Sequence, residues 1–549
     1  MTNRRHLLQL AGVAVVAAAG GAAWVSYGPR STRGPATGPP KNYPMDPLTP
    51  GHFQQKLFMP GAGGPLGVLD VSGPLTINAA EASFALLPGR NSPFLLYQTT
   101  HAGKPYQNPI LRIESGGRFT ATLDNALSQP TIIHWHGLHT PANMDGHPAS
   151  TIATGKRYEY DFKVSNRGGT YWYHTHAHEL TAEQAYNGLA SFFLVEDDEQ
   201  RRLAQALNLT LGVTDLPIVI QDKQFDAGGK LLYRPNAHES MMGWLGDIVL
   251  CNLTPNAVHT VTPRSYRLRL LNGSNSRIYR LGFASGSAAL GFTVIGTDGG
   301  LIERPEAATE AFIAPGERLD VLFDAGQVAV GSDIFLKSLA FDAMENEGGM
   351  GSTGGMGGMP GMSQMMASMS SSRVPLGAEF NILKLAVVAG DRVVAALPAK
   401  LSKVKPIATE GATERNIELS MGQMRFLING LTFQMDQIAF DVKKNTVEVW
   451  RISNPAIGMP HPMHIHGFSF QVIERIGSPP QIARAARFGR GRVVTDLGWK
   501  DTVLVWPGET VRIAIDFTHN YPGDQTYVFH CHNLEHEDAG MMINFRVRV

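Results

Sequence analysis

The sequence predicts an all-β chain of three consecutive Greek-key β-sandwich domains, and three observations carry that reading. Gly 59 and Pro 34 punctuate short stretches rich in Val, Thr and aromatic residues, as expected of many short strands joined by turns. Two strand-like patterns each recur three times, the mark of a repeated unit. The strands in these repeats alternate apolar and polar residues, so each is expected to have one buried and one wet face.

The first pattern is an alternating strand ending in Asn, at 118–125, 264–272 and 447–454. The second is a turn followed by an alternating strand, beginning at Thr154-Gly155, Pro315-Gly316 and Pro507-Gly508. At 549 residues the chain is long for one core. The repeats divide it into domain one at 51–200, domain two at 205–395 and domain three at 410–549, the last two meeting near 398–411.

Upstream, Arg4-Arg5 precedes an apolar run over 11–24 that resembles a twin-arginine export signal. An uncleaved anchor is the alternative, although the run is short for spanning a bilayer. Residues 1–28 are therefore expected to be a signal, and the prolines from Pro29 to Pro50 make 29–50 a stiff linker. The mature chain is expected to be periplasmic or secreted, monomeric, and without a transmembrane segment. Lys+Arg 47 against Asp+Glu 47 leaves no electrostatic footprint for nucleic acid. Of the two cysteines, Cys251 reads as a small buried apolar residue.

The other cysteine lies in the most informative stretch, Phe529-His530-Cys531-His532 followed by His536, Glu537 and Met541. On an extended segment His530 and His532 share one face and Cys531 points to the other. A thiolate, two imidazoles and a weak thioether make a blue-copper ligand set; a structural zinc is the alternative. The rest of the chain favours copper. His134-Trp135-His136 and His174-Thr175-His176 lie in the first repeat. The third repeat carries His461-Pro462-Met463-His464-Ile465-His466, whereas the second reads Asn272-Gly273-Ser274-Asn275 at the matching place. Four His-x-His pairs from the outer domains are expected to meet at one interface.

These residues resemble the four copper motifs of the multicopper oxidases, over nearly the whole chain after residue 50. The resemblance implies three cupredoxin domains and four copper ions. It implies that Cys531, His461, His536 and axial Met541 are type 1 ligands and that His134 and His464 hold type 2 copper. His136, His174, His176, His466, His530 and His532 are the implied ligands of the type 3 pair. A shift of the second motif to His176-x-His178 is the less favoured alignment. The implied reaction takes single electrons from Cu(I), phenols or aromatic amines and reduces dioxygen to water. Asp145 and Glu537 resemble the family's proton-relay carboxylates. Their alternatives are a turn residue at Asp145-Gly146 and a solvated loop charge at Glu537.

Residues 344–369 hold eight of the 21 methionines among Gly and Ser. Thioethers suit Cu(I), and the segment resembles the Met-rich insertions of bacterial cuprous oxidases that act in copper tolerance. It departs from them by interrupting domain two rather than domain three; a low-complexity loop is the alternative. Met421, Met424 and Met435 are further candidates for copper docking, although Gln434 stands where an acidic neighbour of Met435 is expected. The alternatives to a cuprous oxidase are a laccase acting mainly on organic phenols, and a copper-binding or scaffold protein without turnover.

Overall fold

The structure is a computed structural model that describes residues 52–87, 90–344, 370–393, 396–422, 425–456 and 458–549. The signal, the linker, Met424 and all of the methionine segment's thioethers except Met344 lie outside the described residues. Six sheets of five to seven strands make three consecutive β-sandwiches.

In the first sandwich, β1 (Arg118–Asn125) belongs to a six-stranded sheet and β2 (Ile133–His134) edges a five-stranded one. Antiparallel to β1 runs β3 (Arg157–Lys163), while β4 (Gly169–Thr175) lies between β2 and β5 (Ala190–Glu196). Phe119, Trp135, Tyr160 and Phe193 fill the space between the sheets. Two helices flank β5: the short α1 (Thr181–Tyr186) and α2 (Asp198–Leu207). The start of α2 is fixed by Asp197, whose carboxylate accepts the Gln200 N–H, and its end by Asn208 at φ 50.

In the second sandwich a third short helix, α3 (Ala237–Met242), precedes β6 (Ser265–Asn272), which pairs antiparallel with β7 (Arg318–Asp324). In the third, β8 (Val447–Ser453) is followed by β9 (His461–Ile465) and β10 (Thr502–Val505), and pairs antiparallel with β11 (Thr510–Asp516). Next come β12 (Gln525–Cys531), helix α4 (Leu534–Asp538) and β13 (Met542–Arg548). The two sequence patterns therefore pair with each other three times: β1 with β3, β6 with β7, β8 with β11.

One expectation fails. Buried and exposed residues alternate along β1, but β6 is buried along both faces. Its outward-pointing Arg267 and Arg269 are covered by the first sandwich and paired rather than solvated. Arg267 donates to Gln200 Oε1 at 2.8 Å and pairs with Asp320; Arg269 makes a two-pronged contact with Asp215, both bonds 2.8 Å. Ionic pairing offsets the desolvation that would otherwise keep such residues at the surface. Cys251 is buried as expected, and burial pushes its thiol up to about 12. Among the described residues no helix is long and apolar enough to cross a membrane.

Candidate metal centre

The His-x-His pairs stand opposite one another because the strands that carry them pair in register. On the first sandwich His134 of β2 faces His174 of β4; on the third His464 of β9 faces His530 of β12, with Met463 facing Cys531. The outer sandwiches then bring these ladders together. His134 Nε2 lies 3.4 Å from His464 Nε2, and His530 Nε2 lies 3.4 Å from His176 Nε2 and 3.1 Å from His466 Nε2.

The nitrogens gather into three groups whose ligand atoms all lie within 4.8 Å of one another: His134, His136 and His464; His136, His174 and His532; His176, His466 and His530. A fourth group is His461, Cys531 and His536, with each imidazole Nδ1 3.5 Å from the Cys531 Sγ. Met541 is fully buried and packs in the same core cluster as Cys531. Thus His530 and His532 serve two different triads while Cys531, between them, serves the separate sulfur group.

Hydrogen bonds set the rings. His134 and His464 donate from Nδ1 to the carbonyls of Asp145 (2.7 Å) and Asp501 (2.8 Å). His174 and His530 donate from Nδ1 to the carbonyls of Thr175 (2.8 Å) and Cys531 (3.1 Å), and His466 Nδ1 donates to Asp145 Oδ2 (2.7 Å). With Nδ1 committed to these acceptors, each ring turns its Nε2 edge inward. His136 is reversed: its Nε2 donates to Asp501 Oδ1 (3.0 Å), leaving Nδ1 without a partner. His174 Nε2, His176 Nδ1 and both nitrogens of His532 are also buried and unpartnered.

This donor set fits a metal. Burial, and after it the neighbouring imidazoles, hold His174 and His532 down to about 3. These two rings are therefore neutral, with a lone pair free for a cation. Orphaned buried nitrogens are costly in a protein interior, and a cation satisfies those that face the cluster. Burial likewise pushes the Cys531 thiol upward, so a bound cation is needed to hold the thiolate. Thiolate, imidazole and thioether together select copper over hard cations.

The carboxylates sit where sequence left alternatives. Asp145 is fully buried, accepts from Thr140 Oγ1 (3.4 Å) as well as His466, and is pushed well upward by burial. Glu537 is buried too, with Oε2 3.2 Å from His530 Nδ1 and Oε1 3.5 Å from His176 Nε2. A solvated loop charge is not what Glu537 is. Met421 is half exposed and Met435 packs beside Phe433, whereas Met241, Met242 and Met344 pack against the core that contains Cys531 and Met541. His178 joins none of the ligand groups found among the described residues.

Sequence reasoning missed Asp501 and Arg318. Arg318 Nη1 donates to Asp501 Oδ1 (2.8 Å) and Nη2 pairs with Oδ2, while Nε donates to the Thr170 carbonyl (2.9 Å). One guanidinium on β7 thus ties β4 to the Asp501 carboxylate that holds His136. It also missed His139 and His147. His139 Nδ1 donates to the Gly467 carbonyl and His147 Nε2 to Asn544 Oδ1 (2.8 Å), each joining the first sandwich to the third.

A fold of three cupredoxin-like sandwiches with a thiolate–imidazole group beside eight converging imidazoles defines a copper-dependent oxidase. The chain belongs to the multicopper oxidases, oxidoreductases that use dioxygen as electron acceptor: models of that family, described as "Multicopper oxidase", match residues 97–200 and 400–549. It is 31% identical to the multicopper oxidase mco of Staphylococcus haemolyticus, covering 80% of this chain and 81% of that protein. It is also 31% identical to a laccase of Bacillus subtilis, covering 75% and 78%. Among solved structures, the McoA multicopper oxidase of Aquifex aeolicus superposes with a TM-score of 0.78 at 37% identity, covering 90% of this chain and all of that one.

Proposed function

We propose that the protein couples one-electron oxidation of Cu(I), and more loosely of phenols and aromatic amines, to four-electron reduction of dioxygen to two waters. On this reading it is an exported protein of copper tolerance holding four copper ions. Cys531, His461, His536 and Met541 would hold the type 1 ion, His134 and His464 the type 2 ion. The triads His136, His174, His532 and His176, His466, His530 would hold the type 3 pair. The single observation that carries the reading is the division of labour along one strand end, where Cys531 belongs to one ligand group and its two neighbours to the others.

Copper held by these residues supplies one-electron exchange and, at the imidazole cluster, a place for dioxygen to be reduced. The chain's own residues do the rest. Donation from Nδ1 to fixed carbonyls locks the rings before a ligand arrives, so little reorganisation is needed. Complete burial of the cluster excludes bulk water. Asp145, bonded to His466 and pushed upward by burial, is the carboxyl group placed to hold a proton, and Glu537, held low beside His176 and His530 despite its burial, is placed to pass protons on toward the four that the reduction consumes.

The preference for Cu(I) draws support from the thioethers. Met344 at the start of the methionine segment, together with Met241 and Met242, packs against the core around Cys531. Deleting 350–369 is expected to raise KM for Cu(I), and an unaltered KM would count against Cu(I) as the preferred reductant. Domain boundaries at 51–200, 205–395 and 410–549 are part of the same proposal. The decisive experiment is oxygen uptake by the copper-loaded protein with Cu(I) against a phenol, alongside a copper count. Uptake with both at four copper ions per chain is expected; copper bound without uptake would make it a storage or scaffold protein.

A further inference from the structure

Within the sulfur group, His536 turns Nδ1 toward Cys531, so its Nε2–H is the outward edge. An imidazole that receives electrons from a docked molecule is expected to show this edge to solvent. Here it does not: His536 is fully buried, and Nε2 donates to the main-chain carbonyl of Met241, at 2.8 Å, in the last turn of α3. Phe426 closes a second side, its ring centroid 4.3 Å from that of His536.

Six residues of helix would fray in isolation, yet α3 is held at both ends. Asn236 and Glu239 form a reciprocal cap, Asn236 Oδ1 accepting the Glu239 N–H (3.0 Å) and Glu239 Oε2 accepting the Asn236 N–H (3.0 Å). The other carboxylate oxygen of Glu239 accepts the Ser371 N–H at 2.6 Å, and the residue is 2% exposed. At the far end Gly243 has φ +99 and lies against α4: a Cβ there would come 2.3 Å from the Ser276 Cβ and 2.8 Å from Asn533 Nδ2. Outside α3 lies a cavity of about 400 Å³ lined by Ser240, Met241, Arg425, Phe426, Phe433 and Gln434, among others.

We infer that α3 is a specificity-determining screen over His536, and that Glu239 is the positioning residue that holds it there. Reductants reach the cavity but not the imidazole edge, so those that gain from direct contact with the ring, bulky organic ones above all, are disfavoured. This rests on the proposed role of His536 as a ligand of the electron-accepting copper.

The test uses copper-loaded protein and two probes of like chemistry, hydroquinone and tert-butylhydroquinone. Hydrogen exchange at the amides of 241–243 is measured in parallel, with the visible band of the copper–thiolate bond as a separate check. In Glu239→Ala the amides are expected to exchange faster, and the ratio of kcat/KM for the bulky probe over the small one to rise about tenfold, the loosening that loss of a helix cap produces. Asn236→Ala, which leaves the Ser371 bond in place, shifts both readouts less, and Asn236→Asp restores them. A ratio that stays put while exchange quickens overturns the screen, as does unchanged exchange in both alanine variants. Loss of the band in both shows that α3 holds the metal site together rather than covering it. Absence of the band in the parent protein removes the metal reading itself, a failure distinct from the others.

Discussion

Replacing Arg318 by Met tests how the middle sandwich supports the cluster. The guanidinium is fully buried and bonds to the Thr170, Gly316 and Asp298 carbonyls and to both oxygens of Asp501. Met fills much of the volume but strands a carboxylate that burial already pushes upward and that lies near Asp298. Breaking a buried pair by removing one partner costs about 3–5 kcal/mol. At about 2–4 °C per kcal/mol for a unit of this size, the lowest thermal transition is expected to fall by roughly 6–20 °C. The measurement belongs on metal-free protein, because bound copper would add its own stabilisation. Adding Asp501→Asn should recover part of the loss, since the uncompensated charge is then gone while an acceptor for His136 Nε2 remains. A single variant that shifts the transition by no more than a degree or two, or a double variant no better than the single, would refute the argument.

Three further outcomes are expected. Asp145→Asn keeps an acceptor for His466 but loses a titratable group, so oxygen uptake should fall roughly 10–100-fold while the copper–thiolate band stays intact; unchanged turnover would remove Asp145 from the relay. Gly316→Ala places a Cβ at φ +83 within 2.9 Å of the His532 ring, so both stability and copper content should drop, and a normal copper count would contradict the close approach. Lys223, buried with Nζ donating to the Tyr186 carbonyl, is pushed down to about 7 by burial. Its unfolded value is about 10.4, so the unfolded chain binds more protons between these limits and stability contributed by this group rises with pH from about 7 to about 10. Urea unfolding at pH 7 and pH 9 should show that rise, and Lys223→Met should remove about 2 kcal/mol of it, up to 1.36 kcal/mol per pH unit being available.

The histidine and cysteine groups were legible because metal chemistry demands rare residues at fixed spacing. His530-Cys531-His532 sends neighbouring side chains to different partners by strand geometry alone, and the repeats gave the other histidines matching places. The β1 and β3 patterns told where strands run and with which faces. What sequence could not supply was the packing of one sandwich on another. Arg267 and Arg269 look like the wet side of an ordinary strand until the first sandwich covers them with Gln200 and Thr170, their carboxylate partners Asp320 and Asp215 lying on neighbouring strands of their own sheet. Lys500-Asp501 reads as a surface pair before an apolar strand, yet both are buried; a charged pair beside a strand in a histidine-bearing repeat was the available hint. The shielding of His536 was invisible because Met241 acts through its backbone, which carries no residue signature, from a helix almost three hundred positions away.

The pairing of His134 with His464 has a consequence for how the molecule is made. These residues are 330 positions apart, and His530 and His532 follow later still. A nascent polypeptide emerging from the ribosome can close its first sandwich early, but the imidazole cluster exists only after β9 and β12 have left the exit tunnel and docked. The cluster can therefore be assembled only once β12 has been made, and polypeptides cut short before β12 should accumulate folded amino-terminal portions that hold no such cluster.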